Sequence, residues 1–202
     1  MPGQTLTLEA FVIEKRPPKE AFQSFLLFSA EHGNLTALMR VSARARALPD
    51  LFDEISAILE TSNQGRTWFF REARIAKRRE SIGRSYDALR FASALAAVIG
   101  RNPVHEESRE GVARLLRTAL DAFCRAGRPD IVHLKSLYVF ARDEGYPVRE
   151  DWLPSLPRAD RDAADAVLGL PLGRHGCDAA AVARLRRSLE LYLASSTEII
   201  IP

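Results

Sequence analysis

The chain is poor in the residues that disulfide, metal and membrane chemistry need. Its 202 residues hold two cysteines, Cys124 and Cys177, too few for a disulfide framework. The four histidines, His32, His105, His133 and His175, form no H-x-x-x-H pair. His175-Gly176-Cys177 stands without the second ligand pair of a structural zinc site. No run approaches the ~20 apolar residues of a membrane helix. The opening MPGQTLTLEAF carries Glu9 and has no basic region before an apolar run, so it does not read as a secretory signal. A reducing, cytoplasmic setting is expected. There is no G-x-S-x-G, P-loop or G-x-G-x-x-G, and no nucleophile stands with a base. The expectation is a protein that is not an enzyme, with no cofactor and no metal.

Apolar residues make up 47% and charged residues 27%, a composition that supports a packed core. Lys and Arg number 29 against 26 Asp and Glu, a net charge of +3. That mild excess is compatible with a polyanion partner without requiring one.

The pattern changes near residue 80. Leu6 to Ile13 alternates and then turns continuously apolar, as a buried strand does. Pro17-Pro18 ends it, because proline cannot donate to a ladder. Phe22–Phe28 and Leu35–Val41 are further strands, joined through Glu31-His32-Gly33-Asn34 as a hairpin. Asn63-Gln64-Gly65 leads into another strand, Thr67–Ile75. Leu51, Phe52, Ile55, Ile58 and Leu59 recur at helical spacing, so periodicity alone makes 49–60 a helix.

Beyond residue 80 the period is helical. Ile82, Tyr86, Leu89, Ala92, Ala96 and Ile99 form a stripe, widened by Phe91, Leu95 and Val98. A second helix buries Val112, Leu115, Leu116, Ala119, Leu120 and Phe123. A third begins at Pro129 and ends at Gly145. Pro147, Pro154 and Pro157 make 146–158 an irregular connector. Asp160–Leu168 is a short helix, and Asp178 caps a last one. The apolar tail Ile199-Ile200-Ile201 should dock. The expectation is an α+β multidomain chain: a small β-barrel over 1–80, where closure removes exposed edges, then an all-α helical domain over 81–202.

Basic residues cluster within the first 80. Lys15, Arg16 and Lys19 fall at the first loop, and Arg40, Arg44 and Arg46 follow the third strand. Arg66, Arg71 and Arg74 mark the last strand, with Lys77, Arg78 and Arg79 after it. Trp68, Phe69 and Phe70 interleave with them. Arginine binds phosphate and aromatic faces stack on unpaired bases, so a groove holding both takes single strands. The same residues also read as the solvated exterior and core aromatics of any barrel.

In order and spacing these segments resemble the bacterial recombination protein O (RecO) family over most of 8–150. The resemblance runs through Ala10-Phe11-Val12-Ile13-Glu14-Lys15-Arg16-Pro17 and Phe25-Leu26-Leu27-Phe28. It continues in Ser29-Ala30-Glu31-His32-Gly33-Asn34-Leu35, Leu48-Pro49-Asp50-Leu51-Phe52 and Phe140-Ala141-Arg142-Asp143-Glu144-Gly145-Tyr146. It implies an N-terminal OB-fold, and would make 49–60 a barrel strand. It also implies binding of single- and double-stranded DNA, strand annealing, and RecA loading with RecR at gaps coated by single-strand binding protein. Lys15, Arg16, Lys19, Arg40, Arg44, Arg46, Arg66 and Arg74 would contact phosphates. Arg109, Arg114, Arg117, Arg125 or Arg128 would flank an apolar groove for the acidic tail of single-strand binding protein. Two departures stand out. Arg40-Val41 replaces the family's Lys-Gly, and the four-cysteine zinc module of many members is missing, so no zinc is expected.

Overall fold

The computed structural model describes residues 3–41, 48–61, 67–125 and 127–202. It is α+β: five strands followed, among the described residues, by six α-helical segments. Two compact units emerge. One comprises Met1–Arg79 with Pro103–Ala113, the other Glu80–Asn102 with Arg114–Pro202. The first unit therefore takes in a segment beyond the boundary expected at residue 80. Part of the reason is Arg109, whose Nη1 donates to Glu31 O at 3.0 Å.

The strands are β1 (Thr5–Lys15), β2 (Phe22–Ser29), β3 (Gly33–Arg40), β4 (Glu54–Thr61) and β5 (Trp68–Lys77). Their pairings run in a closed circuit, β1-β2-β3-β5-β4 and back to β1. All are antiparallel except β3–β5, a seam of two parallel registered pairs, Ala37 with Trp68 and Leu38 with Phe69. Alternate residues turn into the circuit and make its core: Leu8, Ala10 and Val12, Phe25 and Leu27, Ala37, and Ile55, Ala57 and Leu59. The β2–β3 hairpin turns through Ala30, Glu31 and His32, with Ser29 opposite Gly33. Gly33 has φ of 66°, the left-handed residue that closes a three-residue hairpin loop. A Cβ there would lie 3.2 Å from Arg109 Nε.

Residues 54–61 form a strand, not the helix that local periodicity favours. β4 pairs with β1 over seven positions and with β5 on its other edge, so tertiary pairing overrides a short coincidental period. Phe52 precedes it at φ 69°, an uncommon backbone for a bulky residue. Bonds to Val12 hold it: Phe52 N donates to Val12 O at 2.8 Å, and Val12 N donates to Asp53 O at 2.9 Å.

The second unit is built around α3 (Pro129–Asp143), which packs against α1 (Tyr86–Arg101) and α6 (Ala179–Ser196). α3 is buried from Ile131 to Ala141 almost all round, as a central helix must be. α1 is capped by Ser85, which accepts from Ala88 N, and α6 by Asp178, which accepts from Ala181 N at 2.6 Å. The stripe of α1 is buried as expected at Phe91, Ala92, Leu95, Ala96, Val98 and Ile99 and fails only at Tyr86 and Leu89, which are exposed. Ala88 is buried as well, and Tyr86 is 79% exposed. The proline-bearing stretch 146–158 is also not irregular. A π-turn over Val148–Trp152 runs into α4 (Leu153–Ser155), and α5 (Arg158–Gly169) starts after Pro157. Pro147 and Pro157 directly precede helical runs, where a missing N–H is tolerated, and Pro154 falls where the π-turn passes into α4. Trp152 is buried there and donates to Ser188 Oγ at 3.1 Å. The tail docks through Asn102: its Nδ2 donates to Ile200 O, and its Oδ1 accepts from Ile200 N. Among the described residues no helix is long and apolar enough to cross a membrane.

Candidate nucleic-acid interface

Strand parity decides which aromatics face outward. Trp68 and Phe70 pack against the core, Phe70 meeting Phe25 edge-on at 5.6 Å. Phe69, between them, points the other way and meets Phe22 on β2 edge-on at 5.7 Å. Leu38 is the parallel neighbour of Phe69 and lies opposite Ser24. Phe22, Leu38 and Phe69 are each only partly buried, so together they form a half-exposed apolar patch outside β2, β3 and the start of β5.

Cations border this patch. Arg40 lies directly opposite Phe22 at the end of β3. Lys19 brackets Phe22 by backbone bonds in both directions, at 2.9 and 3.1 Å. Both side chains are exposed, and among the described residues neither has a carboxylate partner. Lys15 and Arg16, at the end of β1, are anchored to the same edge: Arg16 N donates to Ser24 O at 3.0 Å, and Gln23 Nε2 donates to Arg16 O.

Carboxylates already hold those two. Lys15 Nζ donates to Asp50 Oδ1 and Arg16 Nε to Glu14 Oε1, each at 2.9 Å. Burial alone would raise Asp50, but the bond from Lys15, the Leu51 N–H and the field of Arg78 outweigh it and hold the carboxyl below its ordinary range. Glu14 raises Arg16 further above its ordinary value. Both pairs are solvent-exposed and therefore weak, so a phosphate can displace the carboxylates.

The remaining expected contacts divide. Arg44, Arg46 and Arg66 lie outside the described residues. Arg74 is exposed but sits opposite Ser56 on β4, whose other neighbour is Glu9 on β1. It is therefore on the β4 side of the circuit, away from Phe22 and Arg40. Arg78 and Arg79 are structural. Arg78 Nη2 contacts Asp53 Oδ2 at 3.0 Å and donates to Leu48 O at 2.8 Å, while Arg79 pairs with Glu54. The signal for Phe22 and Phe69 was their aromaticity; only strand register could pair them.

The arginines proposed for a protein partner also separate. Arg109 belongs to the first unit and ties to Glu31 O. Arg128 is held by both oxygens of Asp130, at 3.0 and 2.8 Å, and donates to Cys177 O at 2.7 Å. Arg125 Nε donates to Asp121 O. Arg114 and Arg117 are exposed on α2 (Arg109–Phe123). An apolar pocket of about 180 Å³ lies between α2 and α3, lined by Leu115, Thr118, Ala122, Val132 and Val139. Arg114 is not among the residues that line it. Lys135, on its rim, donates to the carbonyls of Val167, Leu168 and Leu170.

Comparison with family models and with curated proteins finds no match to this chain.

Proposed function

We propose that the chain is a non-enzymatic, DNA-binding recombination and repair accessory protein of the RecO type, in which the five strands serve as an OB-fold barrel. The reading is supported by a strand order that places β5 between β3 and β4 with β3–β5 parallel, and by the outward patch on β2 and β3, the face through which OB-folds take oligonucleotides. The observation that carries it is the Phe22–Phe69 pair flanked by Arg40 and Lys19. Bases of a single strand stack on the rings while phosphates reach the cations. Duplex DNA engages the cations alone. Neutralising phosphates on two complementary strands lowers their repulsion and favours annealing. RecA loading, with RecR as a partner, belongs to the same reading. The apolar pocket between α2 and α3 would take an apolar residue of the acidic tail of single-strand binding protein, acting in the cytoplasm.

A second reading, a protein-interaction module with a structural barrel, is favoured by the carboxylates already on Lys15 and Arg16. Fluorescence anisotropy with a labelled single-stranded oligonucleotide at low salt separates the two. Binding that weakens steeply with salt, together with faster annealing of complementary strands, supports the first. Absence of binding sinks it and leaves the second.

A further inference from the structure

The second unit holds a larger opening that the DNA-binding reading does not use. It is a cleft of about 420 Å³ where the first turns of α1, α3 and α6 converge, the size of a small-ligand site. Three guanidinium groups line it. Arg90 lies over the Phe91 ring, its Cζ 4.3 Å from the centroid, and Arg186 approaches the same ring at 5.8 Å. Arg128, clamped by Asp130, also lines it. Two cations beside one ring repel each other, and an anion between them would relieve that repulsion.

The carboxylates nearby differ in how firmly they hold. Arg128–Asp130 is bidentate and tied further to the Cys177 carbonyl, so it is framework. Arg90–Asp87 is a single contact of 3.2 Å with both side chains about half exposed, a pair of little strength. Arg186 reaches Glu190 at 2.7 Å along α6. Arg90 is therefore the cation freest to change partner. A guanidinium stacked on an aromatic leaves its outer face for a planar ring and its edge for phosphate oxygens.

We propose that this cleft binds a phosphate ester of nucleotide size, its phosphate between Arg90 and Arg186 and its base against the outer face of Arg90. The Asp87 carboxylate is displaced on binding. Occupancy is independent of the β2–β3 patch.

The test is calorimetric titration of the full chain with ADP, pyrophosphate and adenosine. ADP binds more tightly than pyrophosphate, and adenosine does not bind. Arg90→Ala and Arg186→Gln each weaken ADP by about tenfold, the worth of one charge-assisted contact. Asp87→Asn strengthens it, and Phe22→Ala and Arg40→Ala leave it unchanged. Arg90→Lys, with charge but no planar fork, retains pyrophosphate and loses the preference for ADP. A melting temperature without ligand confirms that each variant folds. The assignment is overturned by no ADP binding at millimolar concentration, by ADP no tighter than pyrophosphate, or by ADP affinity unaffected in both arginine variants. An equal loss of oligonucleotide binding in Arg90→Ala also overturns it, since the cleft would then be part of a strand path.

Discussion

Arg79 Nη2 lies 3.1 Å from Glu54 Oε2, with the arginine side chain only 1% exposed. Its Nη1 donates to the carbonyl of Phe52, the residue held at positive φ before β4, and its Cζ lies 5.8 Å from the Phe11 ring. Arg79 thus joins the end of β5 to the start of β4. Removing it leaves a largely buried carboxylate, a loss of about 3–5 kcal/mol. Arg79→Leu should lower the urea midpoint sharply. Arg40→Ala, on the exposed end of β3, should stay within about 0.5 kcal/mol of the parent and lower DNA affinity instead. If the two variants behave alike in both assays, the division between structural and ligand-facing arginines is wrong.

The aromatic pair gives the second expectation. Phe22→Ala and Phe69→Ala should each weaken single-stranded oligonucleotide binding by about 1–3 kcal/mol, the worth of a stacked base, and affect duplex binding less. Because the rings touch, the double variant should lose less than the sum of the singles. Phe70→Ala, whose ring meets Phe25 in the core, should instead lower the unfolding midpoint. Equal effects of Phe22→Ala on single and double strands would exclude stacking.

The first three strands were legible because each carries its own stop: Pro17-Pro18 after β1, and the Gly33 turn between β2 and β3. Capping by Asp178 was legible for the same local reason. β4 was not. Leu51 and Phe52 lie outside the strand, yet they complete a helical spacing with Ile55, Ile58 and Leu59. Only the neighbours on both edges select the alternation of Ile55, Ala57 and Leu59. On α1 the helical period was legible from Phe91 to Ile99, but not at Tyr86 and Leu89, which lie in its first turn and are exposed. At the candidate site, the charges of Lys19 and Arg40 could be read from the chain. The outward aim of Phe69, the inward ties of Arg78 and Arg79, and the isolation of Arg74 depend on register.

Salt dependence separates the cations further. Arg40→Ala should reduce the slope of log affinity against log salt by about one unit, the signature of a lost phosphate contact. Arg74→Ala, over β4 beside Ser56, should leave the slope unchanged. Glu14→Gln and Asp50→Asn free Arg16 and Lys15 from their carboxylates and should strengthen binding at low salt. Anisotropy titrations across a salt series measure all four. A slope that falls equally for Arg40→Ala and Arg74→Ala would mean that DNA wraps the sheet rather than lying along β2 and β3.

A buried histidine sets a pH limit on the second unit. His133 is 2% exposed in the middle of α3, with Nδ1 3.2 Å from the Phe91 carbonyl, a geometry in which the neutral ring donates from Nδ1. Burial pushes its pKa down to about 4; the bond with the Phe91 carbonyl opposes this, and the charges of Arg186 and Arg90 add to it. In the unfolded chain the ring takes a proton near its ordinary value of about 6.5. Between the two values the unfolded state binds the extra proton, so stability is full above the unfolded value and declines as pH falls toward the folded one. Across that interval the loss is about 3 kcal/mol, and below it this group adds nothing further. His133→Gln, which retains a donor for Phe91, should flatten this part of the profile while costing some stability at neutral pH. Urea unfolding of parent and variant across the interval checks it; parallel profiles would show that His133 does not govern the acid sensitivity of the helical unit.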